Sequence, residues 1–285
     1  MRSTAMTKAR LRADALTLAY DRRVVVRDLD VQITDGSFTV IVGPNACGKS
    51  TLLRSLARVL KPQSGAVHLD GQAIASYPSR HVAKQLGMLP QSPVVPGGIV
   101  VEELVARGRF AHQRLLRQWS AQDEAAVADA MRQTEVTELA DRFVDELSGG
   151  QRQRVWLAMA LAQQTPILLL DEPTTFLDLS HQFEVLDLCA DLHEQGRTIV
   201  AVLHDLNHAC RYATELIVMR DGAVLAQGPP AEVMTAELVE TVFGMPCRVM
   251  TDPETDTPMV VPAGRQRRRL ARNGFAAAAA DGASA

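Results

Sequence analysis

Alternating apolar and polar residues predict an antiparallel β element in the N-terminal part of the chain. In residues 29–33 every second residue is apolar, which is the pattern of a strand with one buried face. The stretch "GAVHLDGQAI" (residues 65–74) repeats this alternation, and its Asp70-Gly71 pair is typical of a hairpin turn. We therefore expect antiparallel strand pairing in this part of the chain.

Three other segments are short and almost wholly apolar: "FTVIV" (residues 38–42), "ILLL" (residues 167–170) and "IVAVL" (residues 199–203). Such runs are typical of central parallel strands that are buried on both faces, although a buried helical segment would look similar. Together they predict a mostly parallel sheet.

Polar residues follow each of these apolar runs. The first run continues into a glycine-rich loop, the second ends at Asp171-Glu172, and the third ends at His204-Asp205. In open α/β sheets, ligands bind beyond the carboxyl ends of the strands. The three endings therefore predict one functional site at that edge of the sheet.

Helical segments are predicted after residue 100. Residues 101–163 are rich in Ala, Leu, Gln, Glu and Arg, which predicts a helical insertion in the sheet domain. The segment "SHQFEVLDLCADLHEQG" predicts a further helix, with Ser180 as its N-cap and Gly196 at its end. Residues 263–285 are rich in Arg and Ala and are predicted to form a disordered tail.

Composition and charge narrow the classes of protein. The 285 residues are 47% hydrophobic, enough for a sizeable core, and the net charge of −3 does not indicate a nucleic-acid partner. Four scattered cysteines without a CxxC pair predict a reduced, cytosolic chain. The N-terminus lacks the apolar stretch of a secretory signal, and no apolar run approaches the ~18 residues that cross a bilayer. We therefore expect a soluble protein, or one that binds a membrane only through other chains.

The segment "GPNACGKST" (residues 43–51) fits the phosphate-loop pattern and follows the first apolar run. Glycines let backbone N–H groups turn toward phosphate oxygens, and the following helix adds the positive end of its dipole. Lys49 is then predicted to reach the β- and γ-phosphates, and Ser50 to hold Mg²⁺. The alternative is a glycine-rich turn whose lysine points at water, which the preceding strand and the full spacing disfavour.

Two other segments predict parts of the same phosphate chemistry. Asp171 would support Mg²⁺, and Glu172 is a candidate general base for an attacking water, unless the acidic pair only caps a strand end. In "LSGGQRQRVWLAMALAQ", Ser148 is a suitable N-cap and Gly149-Gly150 expose N–H groups at a helix start. This segment predicts a second anion cradle, and the alternative is an ordinary capped helix.

Taken in order, "GPNACGKST", "LSGGQ" and "LLLDEPTTFLD" resemble the motifs of an ATP-binding-cassette (ABC) ATPase, over about residues 16–228. The resemblance implies an α/β fold: a P-loop ABC ATPase core with a mostly parallel sheet, an N-terminal antiparallel β element and a helical subdomain. It implies a single domain at residues 1–262, with the helical subdomain inserted at about 92–165 and a C-terminal extension at about 229–262.

The resemblance also implies roles for individual residues. Tyr20 matches the aromatic residue that stacks on adenine, and Gln91 matches the glutamine that senses Mg²⁺ and links to a transmembrane partner. His204 matches the histidine that contacts the γ-phosphate. Without the resemblance, Tyr20 would be read as a strand-end core residue, Gln91 as a loop amide and His204 as a structural histidine.

The complete sets implied by the resemblance are larger. The nucleotide-binding residues are Tyr20, Gly43, Pro44, Asn45, Ala46, Cys47, Gly48, Lys49, Ser50, Thr51, Ser148, Gly149, Gly150, Gln151 and Asp178. The catalytic residues are Glu172, His204, Lys49 and Gln91, and the metal-site residues are Ser50, Gln91 and Asp171. The cofactors are ATP and Mg²⁺.

The second anion cradle is explained by pairing of two chains. In ABC ATPases two chains pack head to tail, so that each nucleotide lies between Lys49 of one chain and Ser148 of the other. Asp178 matches the aspartate at the dimer seam. One departure concerns Ala46, which stands where the family usually has glycine. Because alanine carries a Cβ, we expect a negative φ at this position.

Four segments resemble the ATPases of iron(III)–siderophore importers more specifically: "DEPTTFLDLSHQ", "AVLHDLNHACRYATELIVMRDG", "QGPPAEVMTAELVETVFG" and "DPETDTPMVVP". The implied function is an ATPase that drives import through a separate integral membrane permease, at the cytoplasmic face of the cell membrane. An extracytoplasmic siderophore-binding protein would be an indirect partner. Cobalamin or haem import is the close alternative.

Other classes of P-loop protein fit less well. ABC ATPases that repair DNA insert a long coiled coil between the phosphate loop and "LSGGQ", and here only about a hundred residues without sustained heptads separate the two. Ribosome-associated members carry two cassettes, and this chain has one. A P-loop kinase would leave "LSGGQ" and His204 unexplained.

Overall fold

The computed structural model describes residues 9–21, 23–91, 97–113 and 119–264. The strands are β1 (Ala9–Tyr20), β2 (Arg23–Thr34), β3 (Phe38–Val42), β4 (Ser64–Leu69), β5 (Gln72–Ala73), β6 (Leu86–Leu89), β7 (Ile167–Asp171), β8 (Thr198–Val202), β9 (Glu215–Arg220), β10 (Ala223–Gly228), β11 (Cys247–Thr251) and β12 (Pro258–Pro262). The helices are α1 (Lys49–Leu56), α2 (Ser79–Gln85), α3 (Val101–Ala106), α4 (Ala121–Gln133), α5 (Gly149–Ala162), α6 (Leu179–Glu194), α7 (Leu206–Tyr212), α8 (Pro230–Val233) and α9 (Ala236–Phe243).

A six-stranded sheet forms the centre, in the order β10-β9-β3-β8-β7-β6. Its strands β6, β7, β8, β3 and β9 pair in parallel, and β10 pairs antiparallel to β9 at one edge. The three apolar runs predicted as central strands are β3, β7 and β8, so that prediction is confirmed. Strand β8 begins and ends one residue earlier than the apolar run at residues 199–203.

The continuous apolar runs exist because both faces of this sheet are covered. Along β3, the side chains of Phe38, Val40 and Val42 pack into one core, while Ile41 packs into another on the opposite face. Successive side chains of a strand point to opposite faces. A strand between two cores therefore needs apolar residues at both its odd and its even positions. Each fully buried aliphatic side chain contributes about 1.5–3 kcal/mol relative to an exposed one.

A second, four-stranded antiparallel sheet covers one of those faces, in the order β2-β1-β4-β5. In β2 the buried and exposed side chains alternate from Leu29 to Ile33, as the pattern predicts. Asp70 (φ 49°) and Gly71 (φ 84°) both adopt left-handed backbone between β4 and β5. Two successive positive φ angles are what a tight type I′ hairpin turn needs, so the predicted turn is confirmed.

Over its described residues, the segment predicted to be helical forms α3, α4 and α5 and several 3₁₀ turns. A buried arginine joins them. Arg109 is 2% exposed and donates to Asp123 Oδ1 (2.9 Å) at the start of α4 and to the carbonyl of Ala162 (2.8 Å) at the end of α5. A buried ion pair with its remaining donors satisfied fixes geometry, because removing either partner leaves an uncompensated charge. The division of the chain into a subdomain at about 92–165 and an extension at about 229–262 stays a prediction.

The predicted cap of α6 is wrong. Asp178, not Ser180, is the N-cap residue, and its carboxylate accepts the backbone N–H of His181 at 3.1 Å. The helix therefore begins one residue before Ser180, because a carboxylate in extended backbone both satisfies a free N–H group and complements the helix dipole. Gly196 follows the last turn with φ 90°, as predicted for a residue that ends a helix.

The C-terminal part adds α8, α9 and a hairpin of β11 and β12. The predicted disordered tail falls almost entirely outside the described residues, which end at 264. Among the helices that the structure describes, none combines the length and the apolar character needed to cross a membrane.

Candidate functional site

A cleft of about 830 Å³ opens at the carboxyl end of the central strands. Most of the predicted nucleotide-binding and catalytic residues of the first half of the chain line it, together with residues that sequence reasoning did not single out. The lining residues are Tyr20, Arg23, Val25, Asn45, Ala46, Gly48, Lys49, Ser50, Thr51, Gln91, Glu172 and His204.

The loop between β3 and α1 is shaped by two glycines. A Cβ on Gly43 would lie 2.2 Å from the carbonyl oxygen of Met219, so no other residue fits there without moving a central strand. Gly48 (φ 107°) is the N-cap of α1 and supplies no side chain to cap the helix. The first N–H groups of α1 are therefore not capped by a side chain, which is the arrangement that binds phosphate oxygens.

The predicted negative φ at Ala46 is wrong: its φ is 63°. The N–H of Cys47 donates to the carbonyl of Pro44 (3.4 Å), which closes a turn with Ala46 as its third residue. A type II turn needs a positive φ at that position, and the geometry of the loop overrides the preference of alanine. A glycine at this position would adopt the same loop with less strain.

Replacing Ala46 with Gly should therefore leave the loop intact and raise the free energy of unfolding by up to about 1 kcal/mol. Left-handed backbone costs alanine about 1–2 kcal/mol, and the greater freedom of glycine in the unfolded chain cancels about 0.5–1 kcal/mol of that gain. We expect ATP affinity to change less than about tenfold, because the phosphate contacts come from backbone N–H groups. Chemical denaturation and equilibrium nucleotide binding measure the two effects.

The matched control is Ala57→Gly, at the end of α1, where φ is −75°. There alanine is unstrained, so glycine should destabilise the protein by about 0.5–1 kcal/mol. If Ala46→Gly destabilises the protein as much as Ala57→Gly does, left-handed strain at Ala46 is not a property of this loop.

Lys49 lies folded back against its own loop. Its side chain is buried, and Nζ donates to the carbonyl oxygens of Gly43 (2.8 Å) and Pro44 (2.9 Å). An ammonium has three donors, so a phosphate oxygen can add to these contacts or replace one of them. The loop thus holds a positive charge at its centre, where a phosphate chain would lie.

Ser50 and Asp171 meet at the bottom of the cleft. Ser50 Oγ donates to Asp171 Oδ1 at 2.7 Å. Asp171 is fully buried, and burial raises its pKa, although Ser50 and Arg54 act in the opposite direction. Its second oxygen, Oδ2, is buried and accepts no hydrogen bond from the described residues, and Arg54 Nη2 lies 3.9 Å from it.

This pair fits Mg²⁺. The ion prefers hard oxygen ligands and is usually bound by one or two carboxylates together with substrate phosphates. A hydroxyl and a carboxylate with an unused oxygen provide such a donor set. The part of the chain that the structure describes contains no cluster of three or more His, Cys, Asp or Glu residues that would bind a metal without a nucleotide.

Glu172 follows Asp171 directly, but its backbone turns sharply, with φ 56°. A positive φ is uncommon for a residue with a long side chain and is often found at functional sites. The carboxylate is held on two sides: His204 Nε2 lies 2.7 Å from Oε1, and Thr175 Oγ1 donates to Oε2 at 3.2 Å. Burial would raise the pKa of Glu172, but the hydrogen bonds from His204, Gln91 and Thr175 and the charge of His204 lower it below its ordinary value. Glu172 is therefore an oriented carboxylate at neutral pH.

Sequence reasoning missed Arg54 and Thr175. Arg54 Nη1 donates to the hydroxyl of Tyr20 (3.3 Å), and Nη2 faces Asp171, so this arginine connects the two sides of the cleft. A signal was available, because Arg54 follows Ser50 by four residues and lies on the same face of α1. Thr175 had no comparable signal, because only the turn after Glu172 brings it to the carboxylate.

A second cleft of about 450 Å³ is lined by the predicted residues of the "LSGGQ" segment and by Asp178. Its lining residues are Ser148, Gly149, Gly150, Gln151, Arg154, Phe176, Leu177, Asp178 and His181. Ser148 caps α5 as predicted: its Oγ accepts the N–H of Gln151 (3.2 Å), and the Gln151 side chain accepts the N–H of Ser148 (3.1 Å). The predicted residues thus divide between two clefts, and the structure of one chain does not bring the two halves together.

Exposed groups surround this second cleft. Phe176 is 75% exposed beside the glycines of α5, which is unusual for a large apolar side chain. Asp178 Oδ1 accepts from the N–H of His181 (3.1 Å), lies 2.6 Å from its Nδ1, and accepts from Ser180 Oγ (3.0 Å). These hydrogen bonds, that of the His181 N–H first, lower the pKa of Asp178.

The comparisons with known proteins agree on one family. Residues 26–175, more than half of the chain, match the family model described as "ABC transporter". The chain is 55% identical to the ferric enterobactin transport ATP-binding protein of Escherichia coli (strain K12), over 90% of this chain and 95% of that protein. It is 52% identical to a probable siderophore transport system ATP-binding protein of Bacillus subtilis (strain 168), over 92% of this chain and 96% of that protein.

Solved structures agree with the fold. A metal-chelate type ABC transporter in an inward-facing conformation matches with a TM-score of 0.76 and 28% identity, over 92% of this chain and all of that chain. A bacterial ABC transporter cassette solved as a dimer matches with a TM-score of 0.71 and 27% identity, over 77% of this chain and 98% of that chain.

Proposed function

Because this chain belongs to the ABC transporter family, as an ATP-hydrolysing subunit, we propose that it energises import of an iron(III)–siderophore through a separate permease. The observation that carries the enzymatic part is that Lys49, Ser50, Glu172 and His204 line one cleft, with Asp171 bonded to Ser50 beneath it. The cargo is supported by the relatives, two of which are named for ferric enterobactin and siderophore transport.

The chain's own residues can carry out hydrolysis by position and charge. Glu172 orients, or accepts a proton from, a water that attacks the γ-phosphate in line with the leaving oxygen. Lys49 supplies a fixed positive charge, and His204 supplies a hydrogen bond. Ser50 and Asp171 would hold Mg²⁺, which offsets charge on the phosphates when bound. Little covalent chemistry is needed, because the transition state is loose.

The two clefts of one chain support a head-to-tail dimer. The first cleft contains the phosphate loop and Glu172, whereas the second contains Ser148 and the exposed N–H groups of Gly149-Gly150. A second copy turned by a two-fold axis places the second cleft of each chain over the first cleft of the other. Exposed Phe176 and Leu179 lie at the second cleft or just beyond it, where a partner would cover them. Tyr20, 42% exposed at the rim, would stack on the adenine base.

The permease would attach near Gln91. This residue lines the first cleft and acts on the Glu172 carboxylate, whose pKa it lowers, so it can report the state of the nucleotide site. We propose that the surface around it receives a short helix of an integral membrane permease at the cytoplasmic face of the cell membrane. An extracytoplasmic siderophore-binding protein would act on the other side of that permease.

Affinity purification from detergent-solubilised membranes should recover a protein with several membrane spans together with two copies of this chain. Mass spectrometry identifies the partner, and light scattering gives the stoichiometry. Recovery of ribosomes or DNA in place of a membrane protein would contradict the transporter function.

Uptake of radiolabelled ferric enterobactin, haem and cobalamin by cells with and without this chain separates the possible cargoes. Deletion should abolish uptake of the iron–siderophore, and the parent sequence, but not Glu172→Gln, should restore it. If deletion abolishes only haem or cobalamin uptake, the proposed ATPase function stands and the proposed siderophore cargo is wrong.

A further inference from the structure

The position of His204 depends on the helix that follows it. The next residue, Asp205, is the N-cap of α7, and its carboxylate accepts the N–H groups of Asn207 (2.7 Å) and His208 (2.9 Å). Only the cap residue Asp205 separates His204 from α7. A shift or rotation of the helix therefore moves the backbone that carries the His204 imidazole. The distance of 2.7 Å between His204 and Glu172 is therefore set in part by what holds α7.

One side of α7 is held by the C-terminal hairpin, β11 and β12. Asn207 bonds to a single residue of β12 in both directions: its Oδ1 accepts the N–H of Val260 (2.7 Å), and its Nδ2 donates to the carbonyl of Val260 (3.4 Å). Val260 is 5% exposed, so these backbone groups depend on Asn207 for their partners. A side-chain amide that matches both backbone groups fixes the strand relative to the helix.

One turn further along α7, an ion pair makes the second contact with the hairpin. Arg211 Nη2 lies 2.6 Å from Asp252 Oδ2, and Asp252 is 8% exposed. The other carboxylate oxygen accepts the N–H of Glu254 (2.9 Å) and so fixes the turn that joins the two strands. Asn207 and Arg211 are four residues apart and therefore lie on one face of α7.

An adjacent face of α7, about 100° round the helix from Asn207 and Arg211, packs on α6. The Tyr212 hydroxyl bonds to Asp187 (2.5 Å), and the ring of His208 contacts the edge of Phe183 with 4.9 Å between centroids. Helix α7 is thus held by both α6 and the hairpin, and Arg211 contacts both of them. The segments "LNHACRY" and "DPETDTPMVVP", about 45 residues apart in sequence, form one hydrogen-bonded unit.

We propose that the C-terminal hairpin positions His204 for ATP hydrolysis, with Asn207 and Arg211 as the positioning residues that transmit its contact through α7. This inference rests on the proposed role of His204 in the proposed ATPase cycle. It assigns to the C-terminal extension an effect on the hydrolytic step, not on nucleotide binding, because the hairpin does not line the nucleotide cleft.

The test uses the full-length protein with Asn207→Ala and, separately, Asp252→Asn, which keeps size and a hydrogen-bonding oxygen but removes the charge. Single-turnover hydrolysis of ATP should slow about 10- to 100-fold, since a misplacement of about 1 Å can cost roughly 10²-fold. The Kd for ATP should stay within about twofold, because the phosphate loop is unchanged. Hydrogen exchange of the amides in residues 205–209 should become faster in both variants.

The matched control is Thr255→Val in the hairpin turn. Thr255 Oγ1 bonds only to Thr257 Oγ1 (2.8 Å) among the contacts that the structure describes, and it does not reach α7. This variant should keep the parent's hydrolysis rate. His204→Ala serves as the reference for complete loss of the positioned group.

The outcomes separate the two levels of the proposal. If His204→Ala slows hydrolysis but Asn207→Ala and Asp252→Asn do not, the hairpin has no positioning role and the ATPase function stands. Parallel losses of ATP binding and of folded protein in both variants would also overturn the inference, since they indicate a purely structural hairpin. If His204→Ala itself leaves hydrolysis unchanged, the proposed role of His204 fails first.

Discussion

Glu172→Gln is expected to slow ATP hydrolysis by about 10²- to 10⁴-fold, the usual contribution of a general base, while ATP binding survives. The substitution keeps the length of the side chain and one oxygen that can accept the hydrogen bond from His204, and it removes the negative charge. Because the pKa of Glu172 is lowered, the parent residue is charged at neutral pH, so the substitution changes the electrostatics of the site under ordinary assay conditions.

The structure explains why the fold should tolerate this change. Glu172 is held by His204 on one oxygen and by Thr175 on the other. A glutamine oxygen can face His204 while its amide donates to the Thr175 hydroxyl, which can accept as well as donate. We therefore expect ATP to accumulate in a closed dimer that does not turn over.

Single-turnover hydrolysis and equilibrium binding, both measured on purified full-length protein, check this prediction. Glu184→Gln on α6 is the matched control, because Glu184 is a half-exposed glutamate that lines neither cleft. This variant should hydrolyse ATP at the parent rate. If Glu172→Gln stays within a few-fold of the parent, the general-base assignment fails and another group positions the water.

Lys49→Ala should have the opposite profile, with weakened nucleotide binding. Hydrogen bonds to charged groups contribute about 1.5–3 kcal/mol each, which corresponds to roughly a 10- to 100-fold increase in Kd for ATP. The buried ammonium also bonds to the carbonyls of Gly43 and Pro44, so its removal leaves two loop acceptors without this partner. A modest loss of stability should therefore accompany the loss of affinity.

Two further variants separate charge from packing. Lys49→Met keeps the apolar stem and should bind ATP as poorly as Lys49→Ala, because the missing contribution is the charge. Lys61→Ala removes an exposed lysine shortly after α1 and should bind ATP like the parent. Isothermal titration with a non-hydrolysable ATP analogue measures all three, and an unchanged Kd for Lys49→Met would exclude Lys49 as a phosphate ligand.

Several features could be predicted from sequence because they depend on local patterns. Continuous apolar runs identified β3 and β7, since a strand between two cores needs apolar side chains on both faces. The Asp70-Gly71 pair identified a turn, since two positive φ angles favour such residues. The order of the phosphate loop, "LSGGQ" and Asp171-Glu172 identified the family, because each of these motifs is contiguous in the chain.

Other features needed the tertiary structure. The φ of Ala46 follows from the turn that closes the phosphate loop, and the intrinsic preference of alanine pointed the other way. The contact of His204 with Glu172 depends on how the carboxyl ends of β7 and β8 lie side by side. The contact of Asn207 with Val260 joins residues 53 apart, and no local periodicity carries that information.

What sequence can determine, and what it cannot, depends on how far apart in the chain the interacting residues lie. By itself, the sequence determined the three buried central strands, where the phosphate loop lies and which family the chain belongs to, because these depend on residues close together in the chain. Only the tertiary structure decided that most of the predicted site residues line two separate clefts, that one oxygen of Asp171 has no hydrogen-bond partner among the described residues, and that the C-terminal hairpin holds the helix after His204. These are contacts between distant segments, and they form only when burial of the two cores brings the strand ends together.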